Sequence, residues 1–199
     1  GVKITTGKDD NRNLIFDEEE IDHTEYVCEY RVCVTTETVE YTYDFEIFEE
    51  GDIVDSYGII GTYGYRSNFN GNQFMIFDSN DPTGGDWDLG VDSGNIAIIS
   101  EDNDSNDPDD NGIGGIFTFE FNKDVTFTGI DVIDIEDVHT KIKFYDVNGT
   151  KITEQRLTIS GNKEIANMTF NIEGVRKVIV SICESGGIDN LKFKCTRVI

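Results

Sequence analysis

The chain has 199 residues, with 16 Lys and Arg against 40 Asp and Glu, a net charge of −24. That imbalance repels nucleic acid and anionic membranes, so neither is expected as a partner. No apolar run reaches the roughly 20 residues that span a bilayer, and 13 Phe with 8 Tyr argue for a packed core rather than disorder.

The first 42 residues read as a polar arm. A short helical turn is expected at 17–22 and a strand at 26–34, where Tyr26, Cys28, Tyr30, Val32 and Val34 alternate with more polar positions. From residue 39 the period is plainly two. Val39, Tyr41, Tyr43, Phe45 and Ile47 fall on one face of a predicted strand, and Glu40, Thr42, Asp44 and Glu46 on the other. The stretch from Tyr57 to Tyr65 is rich in glycine and tyrosine and reads as a loop, with Tyr63 and Tyr65 available for ligand contact or for ordinary packing. Further strands are expected near 74–77, 95–100, 116–121, 125–135, 141–147, 151–159, 165–172, 175–183 and 190–196, rich in Val, Ile, Thr and Phe. Asn148-Gly149 reads as a two-residue type I′ hairpin turn. Many short strands with almost no helix predict an all-β chain, a β-sandwich or jelly roll over residues 43–199 preceded by the arm 1–42.

Four cysteines, Cys28, Cys33, Cys183 and Cys195, form no C-x-x-C pair and have only His23 and His139 as further zinc ligands. Two disulfides in an oxidising compartment are expected, with three connectivities open. Sequons at Asn103, Asn148 and Asn167 mark candidate glycosylation sites in a secreted or cell-surface protein. The opening Gly1-Val2-Lys3 reads as a processed end.

Residues 67–122 contain no Lys or Arg, and residues 101–110 read EDNDSNDPDD. This run lies between two predicted strands, so its ends are held and its carboxylates repel one another unless a cation neutralises them. Asp107-Pro-Asp109-Asp-Asn111-Gly112 has the D-x-D-x-N-G form of the first half of a calcium loop, alternating oxygen ligands before a turning glycine. Position 12 is Thr118 rather than a bidentate Glu, so further ligands must come from Asp78, Asp86 and Asp88. Hard oxygen donors without His or Cys select Ca²⁺. The other reading is a solvated acidic loop. Trp87, the single tryptophan, lies between Asp86 and Asp88, placed either to stack on a sugar ring or to cover the sandwich edge.

Several segments, in order, carry a resemblance: YDFEIFEEG at 43–51, FMIFDSNDPTGGDWDLG at 74–90, GNIAIISEDNDSNDPDDNGIGGIFTFEF at 94–121, GIDVIDIE at 129–136, FYDVNGTKI at 144–152 and SGGIDNLKF at 185–193. Together they resemble a β-sandwich module of secreted and cell-surface proteins of bacteria and algae, many of them PEP-CTERM-type exported proteins. That module is similar to the galactose-binding-like jelly rolls of carbohydrate-binding modules. The resemblance covers about residues 43–194 and implies a sandwich with a structural Ca²⁺. Trp87 stands where the module has a small or acidic spacer.

Catalysis has little support. Neither His23 nor His139 sits in a nucleophile motif, and no G-x-S-x-G, H-E-x-x-H or phosphate loop occurs. The expected function is a non-catalytic, calcium-stabilised structural or adhesive module, partnering its own copies, other extracellular proteins or glycans, with a surface fibre built through the arm. The alternatives are a carbohydrate-binding module using Trp87, Tyr63 and Tyr65, and a glycoside hydrolase or lyase.

Overall fold

The computed structural model describes residues 36–66 and 69–198. Residues 1–35 of the arm, with Cys28, Cys33, His23, the predicted turn at 17–22 and the predicted strand at 26–34, lie outside the described residues, while 36–42 belong to a strand. The chain divides into two compact units, one of Gly1–Thr35 with Val198–Ile199 and one of Thr36–Arg197. The second therefore begins ahead of residue 43, where the module was expected to start.

The elements are β1 (Thr36–Tyr43), β2 (Ser56–Tyr57), β3 (Ile60–Tyr65), β4 (Phe74–Asp78), a single 3-10 turn (Trp87–Leu89), β5 (Asn95–Ile99), β6 (Gly115–Ile133), β7 (Lys141–Tyr145), β8 (Lys151–Arg156), β9 (Ile165–Ile182) and β10 (Gly187–Val198). All of the strand pairings with a stated register are antiparallel. β6 and β9 are long and run side by side. The first half of β6, from Gly115 to Glu120, pairs with β3 and with the end of β9. Its second half pairs with β10 and with the start of β9. Register breaks between Glu120 and Gly129 mark where the ribbon bends from one layer into the other. One layer therefore runs β3-β6-β9-β7-β8 and the other β4-β5-β10-β6-β9, with β1 on β10.

Alternation explains the core. Phe117, Phe119 and Phe121 point inward from the first half of β6 and are buried, as are Val178 and Val180 of β9 and Ile142 and Phe144 of β7. Phe74 meets Phe117 and Phe119 edge-on, and Phe193 meets Phe121 likewise. β4 and β5 are buried on both faces. Phe74 and Ile76 enter the main core, whereas Met75, Phe77, Ile96 and Ile98 form a second cluster with Leu89 and Ile133. The segment 79–94 lies over the outer face of that layer, which is why FMIF and NIAII read as unbroken apolar runs.

Several expectations are corrected here. The strand expected over 39–47 ends at Tyr43, because Phe45 turns the chain at φ 62° and leaves Ile47 exposed. Tyr57 to Tyr65 forms strands β2 and β3 rather than a loop. The turn at Asn148-Gly149 is not type I′. Only Gly149 has positive φ, its N–H donates to the Asp146 carbonyl, and the Asp146 side chain accepts from the amides of Asn148 and Thr150. This is a three-residue loop closed by a glycine bulge. Cys183 is exposed and Cys195 buried, and neither is bonded to the other; Cys28 and Cys33, the remaining expected partners, lie outside the described residues. Cys183 follows the last residue of β9, and Cys195 lies in the second half of β10, with β6 between the two strands.

Candidate binding site at the loop end

The two acidic segments dock against each other. Asp86 accepts a hydrogen bond from the Asp110 amide at 2.7 Å, and Asp107 accepts one from the Gly84 amide at 3.0 Å. The Thr83 hydroxyl donates to the Pro108 carbonyl at 2.8 Å. Gly84 is required at this contact, since it has φ +62° and a Cβ there would lie 2.3 Å from the Asp109 Cβ. Asp110 turns inward. Its carboxylate accepts the Gly186 amide at 2.6 Å and so fastens the acidic loop to the β9–β10 turn.

Charge crowds this end. Burial, then Asp86 and Asp88, push the Asp110 carboxyl up to about 7. Burial, followed by Asp102, Glu101, Asp86 and Asp107, pushes Asp109 up to about 6. Burial raises Asp86 too, with Asp88 and Glu101 adding repulsion. Asp134, which accepts the Lys163 amide at 2.8 Å, is raised to about 6 by burial and then by Asp88 and Glu136. One Asp109 oxygen, Oδ1, is buried with no hydrogen-bond donor among the described residues.

Of the six predicted ligands, Asp86, Asp88, Asp107 and Asp109 gather along this seam. Asp78 is turned into its own local loop, accepting the Asn80 amide at 2.8 Å. Asn111 is spent: its oxygen receives the Arg66 guanidinium at 3.4 Å and its amide donates to the Gly114 carbonyl. Among the described residues no group of three or more His, Cys, Asp or Glu side chains stands together in a metal-holding arrangement. Sequence reasoning missed Asp110, Asp134 and Ser185, whose hydroxyl donates to the Asp134 carboxylate at 3.5 Å. The Asp-Asp pair at 109–110 was visible, but the contacts that bury Asp110 join segments far apart in the chain.

Trp87 is 68% exposed, while Leu89, two residues on, is fully buried in the second apolar cluster. The indole is thus held outward by a turn anchored from below. Tyr63 and Tyr65 are 43% and 44% exposed on the outer face of β3, and the Tyr63 hydroxyl donates to the Gly71 carbonyl. Among the sequons, Asn148 and Asn167 are exposed, whereas the Asn103 amide donates to the Asn72 carbonyl at 2.9 Å. His139 is a surface residue paired with Asp137 at 2.7 Å. The high-pKa Asp110 faces the interior rather than a cleft, so it presents no acid to a substrate. Among the described residues no helix is long and apolar enough to cross a membrane.

Residues 1–28 match the family model for a domain of unknown function, DUF7151. No curated protein matches the chain. Among solved structures, a fucose binding module of Streptococcus pneumoniae is similar at 13% identity, with 76% of this chain and 98% of that chain covered and a TM-score of 0.38. A mutant lectin binding domain of lectinolysin complexed with Lewis b is similar at 9% identity, covering 72% and 94%, with a TM-score of 0.37. Identities and scores this low leave the function to be read from the residues.

Proposed function

We propose that this chain is an exported, non-catalytic carbohydrate-binding β-sandwich that meets its ligand with the Trp87 loop. The outward indole on an anchored turn carries the reading. An exposed tryptophan offers an apolar face to the C–H side of a sugar ring, and the flanking Asp86 and Asp88 offer acceptors for its hydroxyls. The resemblance to modules of exported PEP-CTERM-type and algal extracellular proteins supports a location outside the cell. Glycan-array binding followed by titration calorimetry on the full chain and on Trp87→Ala tests this. The expected result is a bound glycan whose affinity falls at least tenfold in the variant at unchanged melting temperature. Binding that survives the substitution, or no bound glycan at all, overturns it.

A calcium-braced structural or adhesive role is the second reading, favoured by the orphaned Asp109 oxygen. A buried carboxylate oxygen without a donor is what a cation would satisfy; Asp109 would be one ligand, and because no three acids already stand in a metal-holding arrangement among the described residues, Asp86 and Asp88 would have to close round the ion. Such an ion would neutralise the crowded carboxylates and fix the loop that carries Trp87.

A further inference from the structure

The outer face of the β3-β6-β9-β7-β8 layer has no role in the preceding reading, and its composition is unlike the rest of the chain. Register places three cross-strand rows on it. The first is Tyr65, Ile116, Ser181, Lys141 and Arg156; the second is Tyr63, Thr118, Ile179, Lys143 and Glu154. The third is Gly61, Glu120, Lys177, Tyr145 and Lys151. Every one of these side chains is half-buried or exposed, so the face is uncovered among the described residues. Five cations and two acids share it, a local charge of 5 − 2 = +3 in a chain whose net charge is −24.

The pairing within the face is incomplete. Glu120 takes Lys177 at 2.6 Å, and Glu154 takes Lys151 at 3.1 Å and Lys141 at 4.0 Å. Lys143 and Arg156 form no ion pair among the described residues, although the chain has acids in large excess. At the other side of the same face, Gly61 leaves a hollow of about 400 Å³ lined by Asp55, Thr62, Tyr63, Thr118 and Glu120. A Cβ at Gly61 would meet nothing closer than 3.8 Å, so the hollow is open to its floor.

We propose that this sheet face binds an acidic polysaccharide, with its anionic groups on Lys141, Lys143 and Arg156 and a sugar ring against Tyr63 at the hollow. Tyr63 and Lys143 stand in one row, three strand spacings or roughly 14 Å apart, so a chain lying across the strands reaches both. Tyrosine supplies an apolar ring face, Glu120 and Asp55 accept hydroxyls, and the cations, in excess over the acids of these rows, select for negative charge. The global charge does not forbid this. At physiological ionic strength charges farther than about 8 Å are largely screened, and β7 lies two strand spacings, about 10 Å, from the β6 strand that leaves the acidic loop. The site is separate from the Trp87 loop and does not rest on it.

The test is affinity electrophoresis and calorimetry of the full chain with polygalacturonate, with dextran sulfate and with neutral dextran, at 50 and 200 mM NaCl. Retention by at least one polyanion and none by dextran is expected, and which polyanion binds tells carboxylate from sulfate. Binding should weaken several-fold at the higher salt, as counterion release requires. Lys143→Ala combined with Arg156→Ala should weaken it at least tenfold, and Tyr63→Ala should weaken it with no loss of salt dependence. Lys143 is half-buried and Arg156 and Tyr63 are exposed, all on the outer face, so the melting temperatures should stay close to the parent's, with a small loss in Tyr63→Ala for its hydroxyl bond to Gly71. Trp87→Ala should leave polyanion binding intact, which separates this site from the loop. Equal retention on dextran, no retention on either polyanion, or full retention by the double variant overturns the proposal. So does sedimentation showing that the face instead takes the acidic loop of a second copy, with self-association abolished by the double variant.

Discussion

Asp189 and Asp131 stand directly opposite each other on β10 and β6, both buried, and the side-chain amide of Asn190 donates to both at 3.0 Å. The Ser93 hydroxyl donates to Asp189 at 3.0 Å, and Lys192 reaches Asp131 at 3.4 Å. Ser93 belongs to the segment that carries Trp87, so this carboxyl pair ties that segment to the sheet. Two like charges side by side in a buried ladder are unfavourable. Burial, and then Asp131 and Glu46, push Asp189 up to about 7.

The first prediction is a stability that falls as pH rises. The native state keeps the Asp189 proton up to about 7, whereas the unfolded chain releases it near the ordinary value of 3.8. The native state therefore binds more protons between those values, and its stability declines across that window. Asp110, Asp109 and Asp134 act in the same direction. Asp189→Asn should remove one share of the slope, with an effect on the order of a few kcal/mol between pH 4 and pH 8. Urea melts of parent and variant at both pH values measure it. Identical slopes would show that Asp189 ionises freely in the native state.

The second prediction concerns calcium. A ligand that binds only the native state stabilises it by about 2.7 kcal/mol at a hundredfold excess over Kd. The melting temperature of the full chain should drop in EDTA, recover with Ca²⁺, and respond less in Asp109→Asn, which keeps the shape but removes a charge. A melting temperature indifferent to verified metal removal would leave the loop braced by protein contacts alone.

How much of this was legible in the sequence depends on the range of the contacts. β4 and β5 were readable because burial on both faces leaves unbroken apolar runs. β6 and β9 were each read as two strands, because Asn122-Lys123-Asp124 and Glu173-Gly174 resemble turns, yet they sit at bulges where a continuous strand bends between layers. β3 was read as a loop because Gly61 and Gly64 look like breakers. At the site, the acidic loop and the Trp87 segment were found by composition. Their joining through Asp86 and the Asp110 amide, and the anchoring of Asp110 to Gly186, are long-range contacts that leave no local pattern.

The third prediction follows from the thiols. Cys183 is exposed and Cys195 is buried. A thiol reagent should label Cys183 in the native full chain and reach Cys195 only after denaturation, because the buried thiol has no access. Peptide mapping after alkylation without reductant distinguishes the two. Protection of Cys183 in native material would restore the disulfide expectation for that residue.

The fourth prediction separates two glycines of one strand. Gly64 lies where β3 passes the entry to β4, with its N–H donating to the Asn72 side chain at 2.7 Å and its carbonyl accepting the Gln73 amide at 3.0 Å. A Cβ on Gly64 would stand 2.4 Å from the Phe74 nitrogen and 2.7 Å from the Gln73 carbonyl carbon. Both are backbone atoms of the strand that carries Phe74 into the core, so neither can swing aside. Gly64→Ala should therefore destabilise by about 1–3 kcal/mol or more, as overpacking does. Gly61 is the control, because a Cβ there meets nothing closer than the Glu120 carbonyl at 3.8 Å. Gly61→Ala should be near neutral in stability, since the alanine enters the hollow beside Tyr63. Chemical denaturation of the two variants decides the matter. Equal stabilities would mean that β3 and β4 are not pressed together at Gly64, and that this glycine stands there for some reason other than close approach.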